Sequence, residues 1–238
     1  MGKRCRLSLA ALVCAAFFGA ADPAAASDGI ATTQIYQKVG EDPATHQPAD
    51  NSLFGMKTAP AIGEVSSKWR TVELEIEQEE TVLARCRAAE ACPAPARELL
   101  QIAAEGTNRT GLARVGLINR AVNLAIIPTT DEAQWGASDR WSPPFETLQT
   151  HRGDCEDYAI IKYAALLRAG LSRDDVKIVI FRNFFQNEDH AVLAARVDGE
   201  WLILDNRNLA LVRDSELVGV HPIFTLDQHG AHRLLSLH

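Results

Sequence analysis

Positive charge is in deficit in this chain: 24 Lys and Arg stand against 31 Asp and Glu, a formal net of -7. Without clustered cations to displace counterions, binding along a nucleic-acid backbone is excluded. Long apolar runs are equally scarce. After Ala20 no stretch comes near the roughly 20 apolar residues that a bilayer-spanning helix needs, so the mature chain is expected to hold no membrane span. No internal repeat and no long linker is visible. What is present is a globular composition, 47% hydrophobic and 23% charged, in 238 residues, enough for one or two domains with a sizeable core.

The one apolar run, Leu7 to Ala20, follows Lys3, Arg4 and Arg6 and gives way to small residues, with Ala24-Ala25-Ala26 before Ser27. A basic start, an apolar middle and a small-residue end make residues 1–26 a secretory signal peptide. The other reading, an uncleaved anchor, asks more length than the run has. Export places the protein in the periplasm, with a mature chain beginning near Ser27; intact mass checks that boundary. Three cations and Asp22 leave with the leader, so 21 basic residues face 30 acidic ones and the mature chain is more acidic still. Cys5 and Cys14 leave too. Of the remaining Cys86, Cys92 and Cys155, an oxidising compartment can pair only two. Cys86 and Cys92, six apart, could close a small loop, which leaves Cys155 free.

Residues 27–62, with Pro43, Pro48, Gly55 and Pro60 and little periodicity, read as an extended, loop-rich arm. A domain is expected over 63–238. From a cap at Ser66 or Ser67, Trp69, Val72, Ile76, Leu83 and Cys86 recur at helical spacing. Val72, Leu74 and Ile76 also alternate as a strand would. The acidic run Glu73 to Glu80 reads as a solvated face. Further helices are expected over about 95–105 and through Leu112, Val115, Ile118, Val122 and Ile126, then an irregular stretch over 131–151. A helix from about Cys155 to Ala169 ends at Gly170. The rest is β in character: Val176–Arg182, then His190–Val197 and Trp201–Asp205 around Asp198-Gly199, a hairpin signal of the type I′ kind. Helices first and sheet after predict an α+β fold, N-terminal helices packed on an antiparallel sheet.

Chemistry concentrates at Gly153-Asp154-Cys155-Glu156-Asp157-Tyr158. The glycine permits a sharp turn that puts Cys155 in the first turn of its helix, where unpaired N–H groups and the dipole favour a thiolate. The neighbouring acids oppose that shift, so a base is needed. With Asp198 and Gly199 at the turn, Val192 faces Asp205, and His190 shares a face with Asp205 as its diagonal neighbour. Cysteine, histidine and carboxylate then suit nucleophile, base and orienter. A half-buried structural His190 and a simple turn at Asp205-Asn206 fit the same spacing. The Cys155 N–H is one oxyanion donor by geometry. Trp135 and Trp141 are candidates to wall the cleft.

The set Gln134-Trp135-Gly136, Asp139, Trp141, Gly153-Asp154-Cys155-Glu156-Asp157-Tyr158-Ala159, Lys162-Tyr163, His190-Ala191-Val192-Leu193 and Leu204-Asp205-Asn206 resembles the bacterial transglutaminase-like cysteine proteinases, whose best-known members are periplasmic adhesin proteases. The likeness runs loosely from Trp69 to Phe224. It implies a papain-like/transglutaminase-like core and a catalytic triad of Cys155, His190 and Asp205. It implies a protein substrate, a large repeat-containing surface adhesin cut near Ala-Ala-like sites, and so control of adhesion and biofilm. It implies an inner-membrane, cyclic-di-GMP-responsive receptor as inhibitor. It suggests Ca²⁺, with Asp154, Glu156 and Asp157 as hard oxygen ligands; the same acids could merely complement the helix dipole. Asp139 or backbone carbonyls would complete that shell. Here Asp139-Arg140-Trp141 and Ser142-Pro143-Pro144 depart from the family's usual loop. Transglutaminase or amidase chemistry by the same triad, and a non-catalytic periplasmic binding module, are the other functions this pattern allows.

Overall fold

The computed structural model describes residues 52–86 and 92–236, so the expected leader and most of the expected arm lie outside the described residues. The end of the arm does not stay a loop. Lys57–Pro60 forms β1, which pairs antiparallel with the last strand, and Leu53 is buried just before it. Among the described residues, regular structure therefore reaches into the expected arm, ahead of position 63. A strand of four residues ending in proline carries too little alternation to be read from sequence, but proline is tolerated at such an edge.

Helical spacing wins over alternation in α1 (Glu64–Cys86): Trp69, Val72, Ile76 and Leu83 are buried, whereas Leu74 is half exposed. The helix begins before Ser66, whose hydroxyl donates to the Ala61 carbonyl at 2.6 Å. Its acidic face is not simply solvated. Glu79 accepts from the Phe145 N–H at 2.9 Å and Glu80 from Arg168 at 2.6 Å. Burial first, and then the neighbouring acids, push Glu79 up to about 8 against the pull of that Phe145 bond. Cys86, at the end of α1, and Cys92 are disulfide-bonded, and Cys155 is the free cysteine among the described residues. Helices α2 (Ala94–Thr107) and α3 (Gly111–Ala125) follow as the periodicity predicts.

The stretch over 131–151 departs from its irregular reading. Strand β2 (Ile127–Pro128) leads to α4 (Asp131–Trp135) and α5 (Pro144–Thr150). Strand β3 (Arg152–Gly153) then returns parallel to β2. Helices of five and seven residues are too short for periodicity. Pro143-Pro144 reads as a breaker, yet Pro144 opens α5, where a missing N–H costs nothing.

Helix α6 (Cys155–Arg168) is buried continuously from Asp157 to Leu166, and it packs against α2, α3 and the sheet. The remaining strands are β4 (Val176–Asn183), β5 (Glu188–Val197), β6 (Glu200–Leu204), β7 (Val212–Arg213), β8 (Val220–Asp227) and β9 (Gly230–Leu235). They form an antiparallel sheet in the order β1-β9-β8-β4-β5-β6-β7. The β5–β6 turn has Asp198 at φ 51° and Gly199 at φ 86°, the two left-handed residues a type I′ turn demands. Its register, Leu193 opposite Leu204 and Val197 opposite Glu200, is the one the sequence predicts. One sheet face, with Val176, Ile178, Leu193, Ala195 and Leu204, joins the helical core, and the other, with Val179, Phe181, Val192 and Trp201, is covered by Leu53. The fold is α+β, helices packed on an antiparallel sheet. Among the described residues no helix is long and apolar enough to cross a membrane.

Trp69 ties the first helix to both layers. It is fully buried, meets Tyr163 edge-on at 5.4 Å between ring centroids, and donates its indole N–H to the Asp227 carbonyl at 2.9 Å. Trp69→Ala should cost about 3–5 kcal/mol. For a domain of this size that is a fall of more than about 6 °C in melting temperature. A calorimetric shift below about 2 °C would show the packing is not continuous there.

Candidate active site

Gly153 precedes the helix bearing the cysteine because nothing larger fits. A Cβ there would stand 2.7 Å from Asp157 Cβ and Oδ2 and 3.1 Å from Thr147. Asp154, extended at φ −103°, caps α6, and Cys155 is its first residue. Asp157 is occupied one turn in: its Oδ1 accepts from the buried Ser142 N–H at 2.8 Å, which pins the loop after Trp141.

From the sheet, β5 supplies His190, buried and edge-on to Phe181 at 5.5 Å. Its Nε2 lies 2.9 Å from Asp205 Oδ1, the diagonal pairing expected from the hairpin register. Burial pushes the Asp205 carboxyl up, but the His190 hydrogen bond and charge and the Arg207 N–H outweigh it and hold the group below the ordinary carboxylate value. The other ring nitrogen, Nδ1, is buried and has no hydrogen-bond partner among the described residues.

The thiol is the piece that differs from expectation. Cys155 Sγ donates to Glu156 Oε2 at 3.0 Å, not to His190. Burial, then the Glu156 charge and this hydrogen bond, push the thiol up, while the Ala191 N–H favours the thiolate. At this helix start, desolvation and an adjacent acid outweigh the dipole. Cys155 and His190 nevertheless line one open cavity of about 530 Å³, with Val65, Trp141, Ile180 and Phe224 among its walls. Trp135 does not line it; its ring carries the Arg140 guanidinium at 4.2 Å.

The carboxylates sort differently from the sequence reading. Asp131, Asp154 and Glu156 present oxygens all within 4.8 Å of one another; Asp157, whose Oδ1 accepts from the Ser142 N–H, is not among them. Asp139 is held by Lys68 and by the Trp141 indole N–H at 2.9 Å. Asp154 is pushed up to about 9, by burial first and then by the facing Glu156, Asp131 and Asp139, and its buried Oδ1 has no hydrogen-bond partner among the described residues. Burial likewise raises Glu156 and Asp131. Crowded carboxylates that burial and mutual repulsion push up suit a hard divalent ion.

A family model described as bacterial transglutaminase-like cysteine proteinase matches residues 84–216, more than half of the chain. Among curated proteins none matches. The chain is similar to three solved structures of LapG from Legionella pneumophila. The calcium-bound form gives a TM-score of 0.53 at 21% identity, covering 66% of this chain and 87% of that one. A second LapG structure gives 0.50 at 22%, covering 74% and 90%. The EGTA-treated form gives 0.50 at 22%, covering 74% and 87%. At these identities the likeness establishes the fold.

Proposed function

The chain belongs to the bacterial transglutaminase-like cysteine proteinases and is a cysteine peptidase, and from that premise we propose that it is an exported endopeptidase working through Cys155, His190 and Asp205. The observation that carries this reading is the His190–Asp205 pair at 2.9 Å, with the second imidazole nitrogen unpartnered and the ring and Cys155 lining one cavity. A rotation of the thiol away from Glu156 frees it for that nitrogen. Cys155 Sγ then attacks the scissile carbonyl, and His190 Nδ1 takes the thiol proton and returns it to the leaving amine. Asp205, ionised, accepts from Nε2 and holds the ring in the tautomer this needs. The Cys155 N–H at the open end of α6 donates to the developing oxyanion. Water completes the cycle by attacking the acyl-enzyme.

Calcium fits the acidic cluster, with Asp131, Asp154 and Glu156 as the residues that would hold it. Bound there, it would neutralise the repelling carboxylates and fix the segments flanking the nucleophile. That LapG has been described both calcium-bound and EGTA-treated supports this assignment. The substrate we propose is a large repeat-containing surface adhesin cut near Ala-Ala-like sites: the apolar walls Val65, Ile180 and Phe224 suit an extended segment with small side chains. Processing it would control adhesion and biofilm. The basic, apolar and small-residue sequence over 1–26 supports periplasmic export. A cyclic-di-GMP-responsive inner-membrane receptor is the inhibitor we propose, on the family resemblance alone.

Incubating the mature protein with Ala-Ala-containing polypeptides and sequencing the fragments tests the reaction type. New N-termini without ammonia release are the expected result. Ammonia release with amine incorporation would move the assignment to acyl transfer. If neither occurs and iodoacetamide leaves Cys155 unmodified, the fold serves as a non-catalytic binding module.

A further inference from the structure

Asp205 lies just past the end of β6, in a stretch over 205–211 that has no strand or helix of its own. A group placed there would hold His190 only as well as its own backbone is held. Three side chains from two helices hold that backbone. From α6, Lys162 Nζ donates to the Leu204 carbonyl at 3.3 Å. From α3, Asn123 Nδ2 donates to the Asp205 carbonyl at 2.9 Å and to that of Asn208 at 3.3 Å. One turn earlier, Asn119 Nδ2 reaches the carbonyls of Asn208 and Leu209, both at 3.3 Å.

Lys162 is an unusual choice for such a place. It is 1% exposed, two turns along the helix that begins at Cys155. An ammonium there costs several kcal/mol unless paired, and a methionine would fill the same volume without that penalty. Burial pulls its ammonium down to about 7, and the Asp205 carboxylate pulls it the other way. The Tyr158 ring, 5.8 Å from Nζ, supplies a further weak attraction. The Lys162 charge in turn favours the ionised form of Asp205. An apolar side chain would serve packing alone; a cation beneath the carboxylate that orients the base serves that carboxylate.

We propose that Lys162 and Asn123 are positioning residues: together they clamp the Leu204–Asp205 backbone so that the Asp205 carboxylate meets His190 Nε2. This rests on the triad reading above. It makes the orienting half of the site a product of the helical layer, with Lys162 on the same helix, α6, as the nucleophile and Asn123 on α3.

Lys162→Met and Asn123→Leu test it, each alone and each combined with Asp205→Ala. Two rates are read: peptide cleavage, and alkylation of Cys155 by iodoacetamide, which needs no substrate. Each single variant should lower kcat and the alkylation rate about tenfold, with KM within twofold. In the Asp205→Ala background neither should lower the alkylation rate further, because the group being positioned is gone. Equal losses in both backgrounds would overturn the clamp, as would unchanged rates with only a shifted melting temperature. If Lys162→Met does not fold, Asn123→Leu carries the test alone. Should no polypeptide be cleaved at all, the endopeptidase reading fails, while the alkylation cycle still reports whether Asp205 is placed this way.

Discussion

Cys155→Ala should fold as the parent does and lose cleavage by at least about 10³-fold, the scale on which removing a covalent nucleophile acts. The two halves of that expectation have separate causes. Stability barely changes because Cys155 opens α6, alanine is the best helix former, and only one sulfur is removed from a site that already faces a cavity. A change in melting temperature within about 2 °C is therefore expected. Activity vanishes because no neighbour can replace the sulfur: Cys155 is the free cysteine among the described residues. His190→Ala should lose a comparable factor but also destabilise, since it leaves the largely buried Asp205 carboxylate with the Arg207 N–H but no imidazole, beside a void. Parallel melting curves and fragment sequencing separate the two variants. Proteolysis retained in Cys155→Ala would remove the triad from consideration altogether.

Local signals carried most of what positions the site. The Asp198-Gly199 turn sets the register of β5 and β6 by itself, because both residues tolerate the left-handed backbone that a two-residue hairpin imposes. With the register known, the His190–Asp205 diagonal follows by counting. The start of α6 follows from Gly153-Asp154. What local signals could not give is what comes together from far along the chain. Asp131 joins Asp154 and Glu156 from 23 residues upstream of Asp154, at the head of a five-residue helix where an acid is unremarkable by sequence. Helix geometry says that Asp154, Glu156 and Asp157 cannot all point the same way, but not which of them turns aside. One further helical step of about 100° turns Asp157 to the Ser142 amide. The thiol environment is legible only in part for a related reason: dipole, base and opposing acids are visible as residue types, but the degree of burial that decides the direction of the shift is a property of the packed fold. Lys162 enters the sequence only through the Lys162-Tyr163 pair of the family resemblance, and only the packed structure sets its amine on the Leu204 carbonyl, next to Asp205.

Calcium should stabilise this protein, and the sorting of the four acids predicts which substitutions cancel the effect. At free calcium of about a hundred times Kd, binding to the folded state alone contributes about 2.7 kcal/mol. That is roughly 5–10 °C of melting temperature in a domain of this size, reversed by EGTA. Asp131→Asn and Asp154→Asn should abolish the shift, since each removes one oxygen anion from a cluster whose members lie within 4.8 Å of one another. The same two variants should melt higher than the parent when calcium is absent, because the burial and then the crowding that push Asp154 up to about 9 act on one charge fewer. Gain without metal and loss of response with it is a signature that general damage cannot imitate. Asp157→Asn is the contrasting case. Its carboxylate bonds the Ser142 amide and stands outside the cluster, so the calcium shift should survive its substitution. If instead Asp157→Asn abolishes the shift and Asp131→Asn leaves it intact, the ion sits on the other side of α6 and Asp131 has no part in holding it. A melting temperature indifferent to both calcium and EGTA would leave these acids as an unrelieved repulsion beside the nucleophile.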